Sequence, residues 1–333
     1  MKKFIVFLAL LTFCLSINAD AANKVAQTGV KMLDVGMGAR ACGMGEAFTV
    51  LGQDASALFY NPAGIGEIEG NFDLYAGQTQ WIADISYINV AGVYNAGVWG
   101  KFGFSLITPE YGEFYATRVD AEAEEGFVEI EGGIDVSAFC AGVAYAREFT
   151  DKFTVGLQAK WVTQHLGESF FTAVTEEEDT VEVGRDNNLA TPCFDFGLLF
   201  YPGFKSFAFG MSVRNFSPAV TYERIAFELP LTFALGVGMN ILDLFGDYPD
   251  YSCNIAADMI HPRDWDEQYH VGAELSYKDM IFLRGGYKFN YFAEGLNAGV
   301  GINVGGVKID YSYSEFDLPG VDMINRLSAG FAF

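Results

Sequence analysis

The chain has 333 residues, of which 51% are hydrophobic, 16% aromatic and only 19% charged. Soluble domains usually carry about 25% charged residues, so this composition favours a surface that partly faces lipid. Asp and Glu (43) outnumber Lys and Arg (20), giving a net charge of −23. Without a basic cluster, this balance argues against nucleic acid as a partner.

The N-terminus predicts export. Two lysines precede the apolar run 4–17, and the sequence Ala-Asp-Ala ending at Ala21 has the small residues of a signal-peptide cleavage site. We therefore predict a cleaved signal peptide over residues 1–21. A lipoprotein signal using Cys14 is the alternative, but the two residues before it are bulky. The run is shorter than the about 20 residues of a transmembrane helix.

Residues 22–70 are rich in Gly and Ala and lack the two-residue alternation of strands. Asp54 is the predicted N-cap of a short helix over residues 55–60, which Asn61 and Pro62 would end. The sequence from Gly36 onward loosely matches the dinucleotide pattern GxGxxA. Because no long helix and second parallel strand follow, we expect no cofactor and attribute these glycines to close backbone packing.

From residue 71 to the end, bulky apolar residues alternate with small or polar ones, which predicts strands with one apolar face. The predicted strands are 71–79, 84–94, 98–107, 134–146, 153–165, 193–201, 206–214, 227–241, 251–259, 268–277, 280–289, 296–304, 307–314 and 325–333. In the clearest of them, the bulky side chains from Leu229 to Ile241 all fall on one face.

Three features of these strands predict an outer-membrane barrel. Their number is even, short connections alternate with mostly longer ones, and the last strand ends on the aromatic Phe333. We therefore predict an all-β fold: a transmembrane antiparallel β-barrel of about 14 strands over residues 71–333. A barrel of this size encloses a lumen, and we expect residues 22–70 to fill it as an N-terminal hatch or plug.

The sequence offers little for catalysis or metal binding. Three scattered histidines and the absence of hydrolase or metalloprotease motifs predict a non-enzymatic protein. Four cysteines follow the leader, and their spacing predicts neither disulfides nor a metal site. The acidic runs 120–131 and 176–186 could bind divalent cations, but they lack EF-hand spacing and we interpret them as solvated external loops.

Two motifs resemble a known family. They are GMGARACGMGEAF at 36–48 and DASALFYNPAGIG at 54–66. This pair is similar to the N-terminal signature of the PorV/PorQ family, outer-membrane barrels related to the FadL fatty-acid transporters. The resemblance implies a hatch inside a FadL-like barrel and a function in type IX-like protein secretion or cell-surface attachment. It assigns hatch or gating roles to Arg40, Gly43, Met44, Gly45, Asn61 and Pro62.

Arg40 is the cation of this segment that most needs partners. A buried guanidinium requires carboxylates or carbonyls around it. The inward-facing candidates are Asp195, Asp258, Glu274 and Asp310. We expect a structural pin, with contact to a ligand as the alternative.

We thus expect a protein of the outer membrane of a Gram-negative-type bacterium, with membrane lipid and secreted cargo or secretion-apparatus subunits as partners. The rival interpretation is a FadL-type channel for hydrophobic small molecules such as long-chain fatty acids. In that case four loop aromatics would capture the substrate: Phe114, Tyr115, Phe170 and Phe171. A purely structural barrel is the third alternative.

Overall fold

The structure is a computed structural model, and it describes residues 28–112, 114–119, 123–129, 134–174, 180–222, 224–318 and 323–333. The predicted signal peptide, 1–21, lies outside these residues. Among the helices in the described ranges, none has the length and apolar character needed to span a bilayer.

Fourteen strands close into one antiparallel barrel. They are β1 Phe72–Gln80, β2 Ser86–Asn95, β3 Lys101–Glu110, β6 Ser137–Thr150, β7 Phe153–Val174, β8 Thr180–Phe200, β9 Ala208–Phe216, β12 Thr232–Asn240, β13 Tyr251–Pro262, β14 Gln268–Tyr277, β15 Ile281–Phe289, β16 Glu294–Val304, β17 Val307–Phe316 and β18 Ile324–Ala332. Consecutive barrel strands pair, and β1 closes the ring against β18, with Asp73 opposite Ala332.

Two small ribbons lie outside the barrel wall. They are β4 Thr117–Val119 with β5 Phe127–Glu129, and β10 Val220–Thr221 with β11 Ala226–Phe227. Two connections contain 3₁₀ turns, Gly97–Trp99 and Ile241–Leu244.

Every predicted strand has a counterpart in the barrel, and the predicted fold class is confirmed. The largest difference is the hairpin of β7 and β8, in which residues 168–174 pair with 180–186, inside the segment 166–192 that the sequence left as a loop. The two strands satisfy each other's backbone hydrogen bonds there, so this extension needs no apolar face. The alternation that marks a lipid-facing strand is therefore missing from it.

The barrel is apolar outside and polar inside. Strand β14 shows this most clearly, because Val271 and Leu275 are exposed whereas His270 and Glu274 are buried. The predicted outward position of Leu229 is wrong. Strand β12 begins only at Thr232. Leu229 lies in the connection before this strand, and its side chain is part of the buried hydrophobic core.

The two rims of the barrel differ. We call one the turn end, with connections 96–100, 151–152, 201–207, 241–250, 278–280 and 305–306. We call the other the loop end, with connections 81–85, 111–136, 175–179, 217–231, 263–267, 290–293 and 317–323. In bacterial barrels the short turns face the periplasm and the long loops face outward.

Candidate functional site: the N-terminal segment in the lumen

Residues 28–70, here called the N-terminal segment, run through the lumen along the barrel axis. At the loop end the Gly29 amide donates to the Glu228 carbonyl, and at the turn end the Asn71 amide donates to the Phe333 carbonyl. Between these points most side chains are buried against inward-facing residues of the wall. That this segment works as a hatch stays a prediction.

The segment contains four short helical elements. They are the 3₁₀ turn Lys31–Leu33, the α-helix Ala39–Gly43, and the 3₁₀ turns Ala55–Phe59 and Pro62–Glu67. The predicted N-cap is confirmed, since the Asp54 carboxylate accepts a hydrogen bond from the Ser56 amide at 3.0 Å. Asn61 does more than end that turn, because its side chain caps the next one.

Arg40 is bound by two carboxylates, those of Glu274 and Asp54. Its Nε lies 3.0 Å from Glu274 Oε2 and its Nη2 lies 3.0 Å from Glu274 Oε1. Its Nη1 lies 2.9 Å from Asp54 Oδ2. Arg284 extends the cluster, donating to Glu274 at 2.7 Å and to Asp310 at 2.6 Å. The forked contact with Glu274 is the strong, directional geometry of a guanidinium–carboxylate pair.

Two of the four predicted Arg40 partners belong to this cluster, Glu274 directly and Asp310 through Arg284. Asp258 instead accepts hydrogen bonds from the backbone amides of Phe48 and Thr49, both at 2.9 Å. The fourth, Asp195, pairs with Lys160 at 2.7 Å.

Sequence reasoning missed Asp54 as an Arg40 partner because it treated the residue only as a helix cap. Burial disfavours the charge on both groups, but the ion pairs outweigh it. Glu274 and Asp54 raise the pKa of Arg40 above its ordinary value, and Arg40 lowers the pKa of Asp54. Both groups therefore remain charged at neutral pH.

A second ion cluster lies around Glu46, towards the loop end. Lys288 donates to Glu46 at 2.7 Å and to Glu294 at 2.5 Å. His270 contacts the Glu46 carbonyl at 3.2 Å and the Tyr291 hydroxyl at 2.7 Å. Burial disfavours the Glu46 carboxylate, yet Lys288 outweighs this effect and the pKa of Glu46 falls to about 2.

Between the two clusters, the backbone of the segment lies directly against wall glycines. A Cβ on Gly286 would lie 2.1 Å from the Met44 carbonyl carbon, and one on Gly272 would lie 2.3 Å from the Met44 oxygen. Gly43 approaches Gly299 in the same way. Gly45 has a φ of 63°, a left-handed conformation that favours glycine. Residues 43–45, which were predicted as hatch residues, thus lie where the backbone of the segment touches the wall.

Asn61 and Pro62 contact the opposite side of the wall. The Asn61 side-chain amide donates to the Thr49 carbonyl at 2.8 Å and to the Leu198 carbonyl at 3.3 Å. A Cβ on Gly156 would lie 2.3 Å from the Pro62 carbonyl carbon. All six predicted hatch residues therefore lie where the segment contacts the wall. Their gating roles remain predictions.

Of the four aromatics predicted to capture a substrate, Phe114 and Tyr115 have described side chains, and the capture role stays a prediction. Phe114 is 41% exposed and Tyr115 is 84% exposed on the long connection after β3. Phe170 and Phe171 lie on β7, and their side chains fall outside the described structure. Both predicted acidic loops also fall partly outside it. In the part of the chain that is described, no group of three or more His, Cys, Asp or Glu residues could hold a metal ion.

Two cavities flank the middle of the N-terminal segment. A loop-end cavity of about 390 Å³ is lined by Trp81, Arg214 and the Glu46 cluster. A turn-end cavity of about 240 Å³ is lined by the Arg40 cluster and Lys308. The two cavities share no lining residue, and the close contacts of residues 43–45 lie between them.

Comparison with known families identifies the chain. Residues 127–317 match the type IX secretion system membrane protein family PorP/SprF. The chain belongs to this family. The match covers most of the barrel, whereas the PorV/PorQ resemblance that the N-terminal motifs suggested is not confirmed. No curated protein matches.

Solved structures show the same fold as this PorP/SprF chain. The Ralstonia pickettii toluene transporter TbuX is 15% identical, with a TM-score of 0.60 over 90% of this chain and 98% of that chain. The Pseudomonas putida toluene transporter TodX is 13% identical, with a TM-score of 0.60 over 90% and 99%. A Pseudomonas aeruginosa FadL homologue is 10% identical, with a TM-score of 0.55 over 89% and 98%.

At such low identities these likenesses establish a FadL-like barrel and nothing about substrates. The barrel and the PorP/SprF family together place the protein in the outer membrane of a Gram-negative-type bacterium, as predicted.

Proposed function

We propose that this protein is a non-enzymatic outer-membrane component of type IX protein secretion or cell-surface attachment, whose partners are secretion-apparatus subunits or secreted cargo. The observation that carries the proposal is the family match over residues 127–317. In this proposal the barrel provides a docking body in the membrane. Its lumen does not conduct the cargo.

The N-terminal segment supports a closed lumen. Backbone contacts at Gly272 and Gly286 leave no space for a side chain between segment and wall, and the ion pairs of Arg40 and Glu46 fasten it on both sides of those contacts. A folded protein could not pass without expelling the segment. We therefore propose that residues 36–66 are a hatch, which also agrees with the PorV/PorQ-like motifs found in them.

The proposal is tested by deleting the gene in the source bacterium and comparing surface and secreted proteins by mass spectrometry. We expect a subset of surface proteins to be lost and to accumulate in the periplasm. Complementation with the wild-type gene should restore them. Unchanged surface proteins, with no secretion subunit recovered after in vivo crosslinking to the tagged barrel, would contradict the proposal.

The hatch is tested separately in planar lipid bilayers. Deleting residues 22–66 should convert a nearly closed barrel into one with large, steady conductance. If the truncated protein folds, as shown by its heat-dependent mobility on gels, and conducts no more than wild type, the segment is not a plug.

The second candidate is a channel for hydrophobic small molecules, since two of the similar structures are described as toluene transporters. We place it second because these structures are at most 15% identical to this chain and support the fold alone, whereas the family match is to a secretion membrane protein family. Uptake of toluene or a long-chain fatty acid by expressing cells, at a rate above that of cells with empty vector, would favour this alternative.

A further inference from the structure

Lys160, Asp195 and Asn215 form a buried cluster that the proposed function does not use. They lie on three adjacent strands, β7, β8 and β9. Lys160 Nζ lies 2.5 Å from Asn215 Oδ1 and 2.7 Å from Asp195 Oδ2. The other Asp195 oxygen accepts the Asn215 backbone amide at 2.7 Å. One carboxylate thus holds both the amine and the residue that carries the side-chain amide.

The cluster is shielded from water. The Lys160 side chain is 10% exposed, Asp195 is 2% exposed and Asn215 is 3% exposed. Its neighbours include the buried Cys193, opposite Lys160 in the strand register. A buried ion pair in such surroundings is costly unless its members are also hydrogen-bonded, and both Lys160 and Asp195 have a further partner in Asn215.

Asn215 sits at an irregular point of the wall. The pairing of β8 with β9 shifts register between Phe194 and Phe196, and Asn215 adopts a left-handed φ of 61°. Its side-chain Nδ2 donates to the Pro230 carbonyl at 3.0 Å, which orients the amide. A cavity of about 30 Å³, lined by Lys160 and Asn215, adjoins the cluster, and this volume suits one molecule the size of water or ammonia.

We propose that Lys160 and Asn215 form an intramolecular isopeptide bond, with Asp195 as the proton-transfer group. Lys160 Nζ first gives a proton to the Asp195 carboxylate, and its freed electron pair attacks Asn215 Cγ. The new C–N bond forms, the Cγ–Nδ2 bond breaks, and Nδ2 leaves as ammonia after receiving the second proton of the attacking nitrogen through Asp195. The remaining proton stays on Asp195 or is taken up by the released ammonia, which then leaves as ammonium.

Proximity and a positioned proton acceptor are the two requirements of this reaction, and no oxidant or cofactor is involved. The bond would join β7 to β9 across β8. It would fasten the wall where the irregular pairing of β8 and β9 weakens the hydrogen-bond ladder.

The test is the mass of the full-length protein purified from outer membranes, followed by peptide mapping. We expect the mature chain to be lighter than its sequence mass by one ammonia, and a protease digest to yield one branched peptide containing Lys160 and Asn215. Lys160→Arg keeps the positive charge but should show the full mass. Asp195→Asn removes the proton acceptor and should lose the branched peptide.

Two results would overturn the proposal. One is recovery of Lys160 and Asn215 in separate, unmodified peptides from the folded wild-type barrel. The other is an ammonia loss that persists in Lys160→Arg, because that loss would be a cyclised asparagine. Asn215→Asp provides an independent check in a folded variant, since the same bond would then form with loss of water.

Discussion

The two halves of the N-terminal segment are held in the lumen by different forces. Residues 36–46 are fastened by ion clusters and by backbone contact with glycines on the β14–β16 side. Residues 55–67 pack chiefly through small and apolar side chains, among them Leu58 and Ile65, on the β3 and β6–β8 side. Removing one charged side chain abolishes an ion pair, whereas removing one apolar side chain leaves the other apolar contacts in place. We therefore predict that any release of the segment begins in residues 36–46.

The largest effect is expected from removing the Arg40 charge. Arg40→Ala leaves Glu274 and Asp54 buried with a missing partner, and breaking a buried pair in this way costs about 3–5 kcal/mol. We expect frequent channel openings in planar bilayers and a lower urea midpoint of unfolding. Arg40→Lys is the matched control and should retain part of both properties. Wild-type conductance in a folded Arg40→Ala barrel would show that the charge does not hold the segment.

Residues 55–67 should respond in stability more than in gating. Ile65 is fully buried, and truncating such a side chain to Ala typically costs about 2–5 kcal/mol. We expect Ile65→Ala to lower the urea midpoint without the frequent openings of Arg40→Ala. If both variants open equally often, the division into two differently held halves is wrong.

The glycine contact offers a smaller, steric test with a close control. Gly286→Ala places a methyl group against the Met44 carbonyl, and such overpacking costs about 1–3 kcal/mol. A methyl group on the neighbouring Gly285 would meet no atom within 4 Å, so Gly285→Ala should be nearly neutral. We expect only Gly286→Ala to increase proteolysis within residues 28–70. Equal proteolysis of the two variants would contradict backbone contact at this point.

The smallest effect concerns acid. Lys288 holds the pKa of Glu46 at about 2, below its ordinary value of 4.5, so its stabilising contribution is complete above about pH 4.5 and declines as the pH falls towards 2. At about pH 3.5 the loss amounts to about 1 kcal/mol. The loss is measured as the difference in the free energy of urea unfolding between a pH above 4.5 and about pH 3.5. Glu46→Gln should reduce this pH dependence. An unchanged dependence in Glu46→Gln would assign it to other carboxylates.

The lipid-facing side of the fold was predictable because one rule governs it. Outward residues of a strand must be apolar, and the alternation recurs every second residue, so all fourteen strands could be found. The lumen side follows no such rule. Its residues depend on individual partners, such as Arg284 on Glu274 or Gly272 on Met44, and partners such as Met44 lie far away in sequence.

The candidate site was predictable only where the chemistry leaves little choice. A buried arginine needs carboxylates, which led from Arg40 to Glu274. Lys288 and the five-residue helix Ala39–Gly43 were missed, since a single inward lysine has no periodic signal and so short a helix has no periodicity. Inward charges that interrupt an apolar strand, such as Lys288 in β15, are the signal that would have found the second cluster.

The passage of residues 28–70 along the barrel axis constrains how the protein is built. The seam between β1 and β18 joins the first and last barrel strands, so the ring cannot close before β18 has been made. Contacts as tight as that of Met44 with Gly286 form most easily while the wall is still open. We therefore predict that the wall closes around residues 28–70 while they already lie in place, so that the segment guides assembly of the barrel.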